Sequence, residues 1–438
     1  MAEGFRQAGW SIRAANDLDA HAGATFRENF PEAVFYEGPI SALRPRKLLR
    51  DARLRQGELD CLIGGPPCQS FSYNNHQRSA TDHRARLFRK YLQIVRALYP
   101  KTLVMENVPG MLTIGDGRVV TEIKEALRAL GYSCEIRILY CEDYGVPQAR
   151  RRAFVIASRL GVASRLFPRG THGPSDKPSQ EANSFVHRWN PTPGKCASAF
   201  VTVWDAIADL PMLPNGGGSQ RMKYRKAPKT SFQRKVRGRA NWVDDHICHA
   251  LDKSLVKRIS HVSEGGNWTQ IPRRLLPAGM RRARLSDHTK RYGRLRRKGL
   301  ASTILTKCDP HWGAYIHPTQ DRTISLREAA RLQGFPDKFT FAGDYISKHY
   351  EQVGNAVPVP VARSIGSNLK RHLAVKVKAA QRNGQPIGTR PPRAHSAGPA
   401  AHKRIRYMRR RTLQQKARQR HRPHFRLQHS RRPARKTG

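Results

Sequence analysis

Residues 59–69 read LDCLIGGPPCQ, and this stretch decides the fold. Its apolar first half predicts a short buried strand over residues 59–63. Two glycines and two prolines follow, and they end the strand and fix the backbone of the turn. Cys68 lies in that stiff turn, where a nucleophile gains from rigidity because a small misplacement of the reacting atom is costly in rate. A proline-rich loop with an incidental cysteine is the alternative, and this stretch alone does not separate the two.

On both sides of this stretch, short apolar runs alternate with segments of helical period. The apolar runs predict strands, at residues 11–17, 59–63, 102–106 and 153–157. The periodic segments predict helices at 20–30 and 84–98, and a third helix that Gly131 caps. Such alternation is typical of a doubly wound α/β sheet, in which ligands bind beyond the carboxyl ends of the strands. Cys68 and Glu106 both lie at such ends.

The rest of the chain differs in character. Residues 161–325 lack this periodicity and are rich in Pro, Gly, Arg, His and Trp, which predicts a smaller, irregular, mostly β or loop domain. Helical patterns return at 326–332 and 359–369, so residues 326–372 are expected to close the first domain, which begins with residues 1–160. Residues 373–438 contain few large apolar side chains and are expected to form a disordered basic tail.

The chain is strongly basic, with 81 Lys and Arg against 32 Asp and Glu and a net charge of +49. Residues 371–438 contain 21 of the basic residues and no acidic one. The remaining 60 basic and 32 acidic residues still give +28. The folded portion is therefore expected to bind a polyanion, although charge alone does not say which one.

The seven cysteines are scattered and contain no CxxC pair. This pattern favours free thiols in a reducing cytoplasm over a disulfide framework or a zinc site, so no metal is expected. The sequence has no apolar run of about 18 residues and no recognisable signal at its start. Neither membrane insertion nor export is therefore expected.

Four further segments follow Cys68 in a fixed order: ENV at 106–108, QARRR at 148–152, REAARLQGFP at 327–336 and GNAVP at 354–358. Together with PCQ at 67–69, they resemble the motifs PCQ, ENV, QxRxR, RExxRLQxFP and GNxVP of the cytosine-C5 DNA methyltransferase family. The resemblance extends from about residue 4 to 369. It leaves a variable gap at about 161–300, where the family has its target-recognition domain. Each motif alone is weak, but five in one order are specific.

The resemblance implies an S-adenosylmethionine-dependent enzyme with a Rossmann-like sheet, which methylates C5 of a cytosine flipped out of duplex DNA. Cytosine C5 is too weak a nucleophile to attack a methyl group directly, but addition of a thiolate at C6 makes the ring an enamine. Cys68 fits that nucleophile. Glu106 would act as the carboxylic acid that neutralises charge at N3. A strand-end carboxylate in a salt bridge is the alternative for Glu106.

Two arginines of the QARRR segment are further candidates. Arg150 and Arg152 alternate along an entering strand, so both should point to one face and Arg151 to the other. By resemblance, Arg152 would hold the cytosine O2 and Arg150 would order the loop around the thiol. A solvated face or a phosphate clamp is the alternative for Arg150.

The resemblance also implies the donor site. Asp17 matches the ribose-binding carboxylate, and Leu18 would lie under the adenine. Pro66 and Asn355 complete the expected donor pocket. Pro39 stands where many members have an aspartate.

The family's FxGxGG loop and the strand before it are absent, because residues 1–5 resemble the helix that follows that loop. A missing central strand would leave the backbone of its neighbours unpaired. We therefore expect either a true start upstream of Met1 or a damaged product.

The expected partner is duplex DNA, bound by a monomer in the cytoplasm and associated with the nucleoid. A cognate restriction endonuclease of a bacterial restriction-modification system is a further expected partner. Two alternatives stay open. One is a truncated relative that binds DNA but is catalytically impaired, and the other is an RNA cytosine-C5 methyltransferase.

Overall fold

A computed structural model describes residues 1–66, 87–113, 117–173 and 198–382 of the 438-residue chain. Cys68 therefore lies outside the described residues. The described strands are β1 (Ala14–Asp17), β2 (Val34–Glu37), β3 (Cys61–Gly64), β4 (Thr102–Asn107), β5 (Ser133–Tyr140), β6 (Arg151–Ser158), β7 (His172–Gly173), β8 (Ser198–Ala199), β9 (Gly218–Lys223) and β10 (Trp242–Ile247). The described α-helices are α1 (Ala2–Gln7), α2 (Ala20–Asn29), α3 (Pro45–Asp51), α4 (Leu87–Leu98), α5 (Arg118–Ala129), α6 (Val203–Ile207), α7 (Ser231–Arg237), α8 (Lys253–Ile259), α9 (Leu326–Leu332), α10 (Ile346–Asn355) and α11 (Val359–Arg382).

The central sheet has four strands in the order β3-β4-β6-β5. β3 and β4 are parallel, whereas β6 is antiparallel to both β4 and β5. The start of β6 therefore lies at the same edge of the sheet as the ends of β3 and β4. A separate parallel pair, β1-β2, precedes this sheet in the sequence.

The sheet is covered on both faces, as the side-chain alternation of its strands requires. Leu103, Met105 and Val155 pack into one core cluster with α4 and α5. Val104 and Phe154, which are adjacent to them in sequence, pack into another cluster with α11 and the N-terminal helix α1. This arrangement confirms the predicted doubly wound α/β architecture.

Several predicted elements are confirmed with shifted ends. α2 ends one residue earlier than expected, β3 begins two residues later, and α9 has the predicted limits. β2 and β5 were not predicted. β5 lies at the edge of the sheet, and most of its residues are only half-buried, so its apolar signal is weak.

The predicted start of the disordered tail at residue 373 is wrong, because α11 continues through Arg382. Leu373 is buried and extends the apolar side of this helix. No proline or glycine interrupts the sequence from 373 to 382, so nothing local ends the helix there. The residues beyond 382 lie outside the described part of the chain.

The middle region is irregular, as expected. Its regular elements include the antiparallel pair β9–β10 and three short helices that were not predicted, α6, α7 and α8. A separate apolar cluster lies under its 250–316 segment and includes Trp268, Met280 and Tyr292.

The described residues were also searched for membrane spans and metal sites. Within them, no helix is long and apolar enough to cross a bilayer. They contain no group of three or more His, Cys, Asp or Glu side chains that could hold a metal ion.

Candidate active site

Glu106 and Arg152 meet at the edge of the sheet where β4 ends and β6 begins. The antiparallel register pairs Glu106 with Phe154, which places Arg152 just beyond the pair. The Arg152 Nε lies 2.9 Å from Glu106 Oε1, and both side chains are more than four-fifths buried. The two residues that the resemblance assigned to N3 and O2 of one cytosine are therefore in direct contact.

Burial raises the pKa of the Glu106 carboxyl above its ordinary value, although the charges of Arg152 and Arg150 oppose the shift. A raised pKa keeps a larger fraction of the carboxyl protonated at neutral pH. Glu106 can thus donate a proton or a hydrogen bond, which an ordinary surface glutamate would not do at this pH. The salt-bridge alternative describes its contact with Arg152 but does not explain this burial.

The loop that leads to Cys68 leaves β3 directly beside this carboxyl. A Cβ atom placed on Gly65 would lie 3.3 Å from Glu106 Oε2, so the glycine allows the backbone to pass close to the acid. The Asn107 amide Nδ2 donates a hydrogen bond of 3.2 Å to the carbonyl oxygen of Pro66, which is buried. The Asn107 side chain therefore helps to order the start of this loop. The position of Cys68 itself stays a prediction.

Arg150 is buried, with 1% of its surface exposed, and connects two distant parts of the chain. Its Nη1 donates to the Ile304 carbonyl oxygen at 2.8 Å, and its Nη2 donates to those of Gly354 at 2.7 Å and Ala356 at 3.2 Å. Burial lowers the pKa of this guanidinium to about 9. The solvated-face alternative is wrong for Arg150. Among the described residues it holds the GNAVP segment and residue 304, and its role toward the Cys68 loop stays a prediction.

Arg151 faces away from these two arginines, as its place in the strand predicts. It is exposed, and its guanidinium lies 5.1 Å from the centre of the Tyr140 ring. The alternation of the three arginines at the start of β6 is therefore confirmed, because the charges of Arg150 and Arg152 act on Glu106 whereas Arg151 is exposed.

The sequence did not predict a role for the segment 301–306, which lies against Arg150 in the candidate active site. The buried Gln148 amide accepts a hydrogen bond from the Ile304 amide nitrogen at 3.0 Å and donates to the Leu332 carbonyl oxygen at 2.8 Å. Thr303 Oγ1 donates to the Ala149 carbonyl oxygen at 2.7 Å. The segment lacks a strong periodic signal, so its position beside the site is known from its tertiary contacts with Gln148, Ala149 and Arg150.

Comparison with known proteins agrees with this geometry. A family model described as C-5 cytosine-specific DNA methylase matches residues 1–371. The type II methyltransferase M.AgeI of Thalassovita gelatinovora is 32% identical over 421 residues, which cover 84% of this chain and 96% of that protein. The chain belongs to the C-5 cytosine-specific DNA methylase family.

Other relatives are longer or more distant. The DNA (cytosine-5)-methyltransferase PliMCI of Paracentrotus lividus is 28% identical over 466 residues, covering 87% of this chain but 28% of that protein. The chain thus spans little more than a quarter of that relative's length.

Solved structures match the fold. An Escherichia coli prophage protein, whose crystal structure carries the description DNA modification methyltransferase, matches with a TM-score of 0.63 and 24% identity. The match covers 85% of this chain and 96% of that one. At these identities the likeness shows the fold alone.

The candidate donor residues of this family member lie at the carboxyl end of β1 and at the end of α10. Leu18 is 71% exposed beside the exposed Asp17, and Asn355 is exposed next to the Gly354 that Arg150 holds. The Asp17 carboxylate accepts a hydrogen bond from the Asp19 amide nitrogen at 3.1 Å. In the expected donor site this carboxylate would also accept from the ribose hydroxyls, and Leu18 would cover the adenine ring. Their assignment to the donor, and that of the buried Pro66, stays a prediction.

Proposed function

We propose that this chain transfers a methyl group from S-adenosylmethionine to C5 of a cytosine in duplex DNA, through a covalent adduct of Cys68. The observation that carries the proposal is the buried Glu106 carboxyl, held by Arg152 at the sheet edge where the PCQ loop begins. Family membership supports the reaction type. The target cytosine would leave the duplex to reach this edge.

The proposed steps use this chain's residues as follows. The Cys68 thiolate adds to cytosine C6 while the Glu106 carboxyl gives its proton to N3, so no full negative charge develops on the ring. C5 of the resulting enamine takes the methyl group that the donor supplies. Loss of the C5 proton to a base and return of the N3 proton to Glu106 then expel the thiolate. Arg152 would hold the cytosine O2 while its Nε keeps Glu106 in place.

Asp17, Leu18, Pro66 and Asn355 would hold the donor. The similarity to M.AgeI, whose name describes a type II methyltransferase, supports a place in a bacterial restriction-modification system with a cognate endonuclease. We further propose that the protein is cytoplasmic and nucleoid-associated, and that it acts on DNA as a monomer. The basic excess of the chain supports contact with DNA phosphates.

The test incubates the protein with tritium-labelled S-adenosylmethionine and unmethylated mixed-sequence DNA. We expect label in DNA from the wild-type chain and none from Cys68→Ser. A duplex that contains 5-fluorocytosine should form a stable protein–DNA adduct, because the fluorine at C5 cannot leave as a proton does. Absence of label together with identical behaviour of Cys68→Ser would contradict the proposal.

A second candidate is a relative that binds DNA without turnover. The strand pair β1-β2 favours it, because this pair carries the candidate donor residue Asp17 but is separate from the central sheet that carries Glu106. Calorimetry of donor binding separates the two, since tight binding of S-adenosylmethionine would dismiss the second candidate. Competition between duplex DNA and tRNA for labelling tests the RNA alternative, for which the family model gives no support.

A further inference from the structure

A tryptophan is exposed on the middle region, close to arginine. Trp312 is 60% exposed, and the Arg291 guanidinium lies 5.7 Å from the centre of its ring. Exposure of so large an apolar ring is costly unless a partner covers it. Base-stacking platforms in nucleic-acid-binding proteins combine these two side-chain types.

The turn that carries Trp312 is firmly held. The Trp312 amide nitrogen donates to the Asp309 carbonyl oxygen at 3.0 Å, and the Asp309 side chain accepts from the His311 amide nitrogen at 2.8 Å. The Tyr292 amide nitrogen donates to the Pro310 carbonyl oxygen, which joins the turn to the segment that contains Arg291. The ring is therefore presented by a fixed turn.

The base of the same loop belongs to the candidate active site. Tyr315 Oη donates to the Thr303 carbonyl oxygen at 3.1 Å and accepts from the Leu305 amide nitrogen at 3.2 Å, so residues 303 and 315 close the loop. Between them, Ile304 accepts the hydrogen bond of Arg150. A strand bound at Trp312 would thus lie on the loop that extends from the catalytic edge.

A cationic cleft of about 170 Å³ opens beside this loop, since Ala314 lines both. The cleft is also lined by hydroxyl and cationic side chains, Thr289, Lys290, Arg296 and Ser302. Glu264, next in sequence to the lining residue Gly265, accepts from the Arg297 amide nitrogen at 2.7 Å and from its Nε at 2.8 Å. Residues 281–298 contain nine Lys and Arg and a single acid, so the charge of this surface favours phosphate.

We propose that this surface, Trp312 with Arg291 and the cleft of Lys290, Arg296 and Ser302, binds one nucleotide unit of the DNA substrate. The cleft takes a backbone phosphate, and the Trp312 ring stacks on a base that is exposed when the target cytosine leaves the duplex. The inference rests on the proposed function, because it takes DNA as the substrate.

Fluorescence anisotropy of a labelled duplex at several salt concentrations tests the two halves of the surface separately. Trp312→Ala should raise Kd about 5- to 100-fold with an unchanged salt slope, since base stacking is an uncharged contact. Trp312→Phe should restore most of the affinity. The double variant Lys290→Gln with Arg296→Gln should weaken binding and lower the slope of log K against log salt by about 0.9, because the cleft contacts one phosphate.

Trp242→Ala is the matched control. Trp242 is 47% exposed, and its ring centre lies 6.0 Å from the Arg221 guanidinium, but it belongs to β10 and not to the 303–315 loop. This variant should bind DNA as the wild type does. Equal affinities of Trp312→Ala, Trp242→Ala and wild type would overturn the inference.

Methyl transfer to DNA by each variant distinguishes failure of the proposed Trp312 surface from failure of the proposed function. If the wild type methylates DNA while Trp312→Ala binds and methylates normally, the inference fails and the proposed function stands. If the wild type binds tRNA in preference to duplex DNA, both the substrate class of this surface and the proposed function are overturned.

Discussion

Arg150 and Arg152 at the start of β6 and the arginines around α9 are all largely buried, but they differ in their partners. Among the described residues, the Arg150 guanidinium donates to backbone carbonyl oxygens, and Arg152 pairs with a carboxyl whose pKa burial raises. Around α9, each guanidinium meets a carboxylate. The pairs are Arg322–Glu328, Arg327–Asp245, Arg331–Asp209 and Arg331–Asp337.

The difference separates the candidate active site from most of the pairs around α9. There the arginines hold the pKa of Glu328 and of Asp337 below the ordinary range, and Arg331 has a raised pKa for the same reason. The pair Arg327–Asp245 is the exception, because burial lowers the pKa of Arg327 and raises that of Asp245. At the sheet edge, burial acts in the opposite direction on Glu106 and lowers the pKa of Arg150 to about 9. Incomplete compensation of buried charge is typical of sites that move protons, whereas complete pairing stabilises a fold.

The largest expected effect comes from Glu106→Gln. The amide keeps the shape of the carboxyl and its contact with Arg152 but cannot donate the proton to cytosine N3. We expect a loss of about 10²- to 10⁴-fold in the rate of single-turnover methyl transfer. Thermal unfolding should show no loss of stability, because the substitution removes a buried carboxyl that is poorly compensated. A fully active Glu106→Gln enzyme would place Glu106 among the structural carboxylates.

Arg331→Met should be the most damaging change in the α9 group. It leaves Asp337 buried without its paired cation and Asp209 with only the longer contact of 3.7 Å to Arg237 Nη1, which costs about 3–5 kcal/mol in the free energy of unfolding. Urea denaturation measures this loss. Arg297→Met is the matched control, because its pair with Glu264 is half-exposed, and the change should cost less than about 1 kcal/mol. Similar losses for both variants would remove the distinction between buried and exposed pairs.

Arg150→Lys tests whether an arginine without a carboxylate partner can be replaced. Lysine keeps the charge but cannot reach Ile304 and Gly354 in one planar fork. We expect a loss of about 1–3 kcal/mol in the free energy of unfolding and weaker donor binding, measured by denaturation and calorimetry. The exposed neighbour offers a control, since Arg151→Lys should change either quantity very little.

The smallest effects are the pH dependences. Unfolding stability should fall toward acid pH because of the carboxylates around α9, whereas methyl transfer should decline toward alkaline pH because of Glu106. Glu328 and Asp337 have lower pKa values folded than unfolded, so their stabilisation is present above the ordinary carboxyl range and is lost as pH falls through the lowered values. Each pKa unit corresponds to about 1.4 kcal/mol. Stability measured between neutral and acid pH should therefore fall less steeply in Glu328→Gln than in the wild type.

At the sheet edge, Glu106 has a raised pKa and acts in its protonated form in the mechanism that we propose. Methyl transfer should thus decline as pH rises through that value, and the decline should be absent from the residual activity of Glu106→Gln. A decline that is the same in both proteins would assign the titration to another group.

Much of the catalytic half could be predicted from the sequence because its signals are local. The apolar runs at 59–63 and 102–106 mark strands that the structure confirms, and the alternation of the QARRR segment correctly placed Arg150 and Arg152 on one face. β5 was missed because an edge strand with half-buried residues lacks a continuous apolar pattern. α11 was predicted too short because composition suggested disorder where apolar residues still recur at helical spacing.

The sequence by itself determined the α/β class, the order of the motifs and the strand ends that bear Glu106 and the Cys68 loop, since periodicity and turn chemistry act between near neighbours. Only the tertiary structure decided that β6 enters antiparallel and puts Arg152 against Glu106. It also decided that Arg150 reaches Ile304 and that Arg331 finds Asp209 more than a hundred residues earlier. Such pairings depend on packing between distant segments, which leaves no periodic trace in the chain.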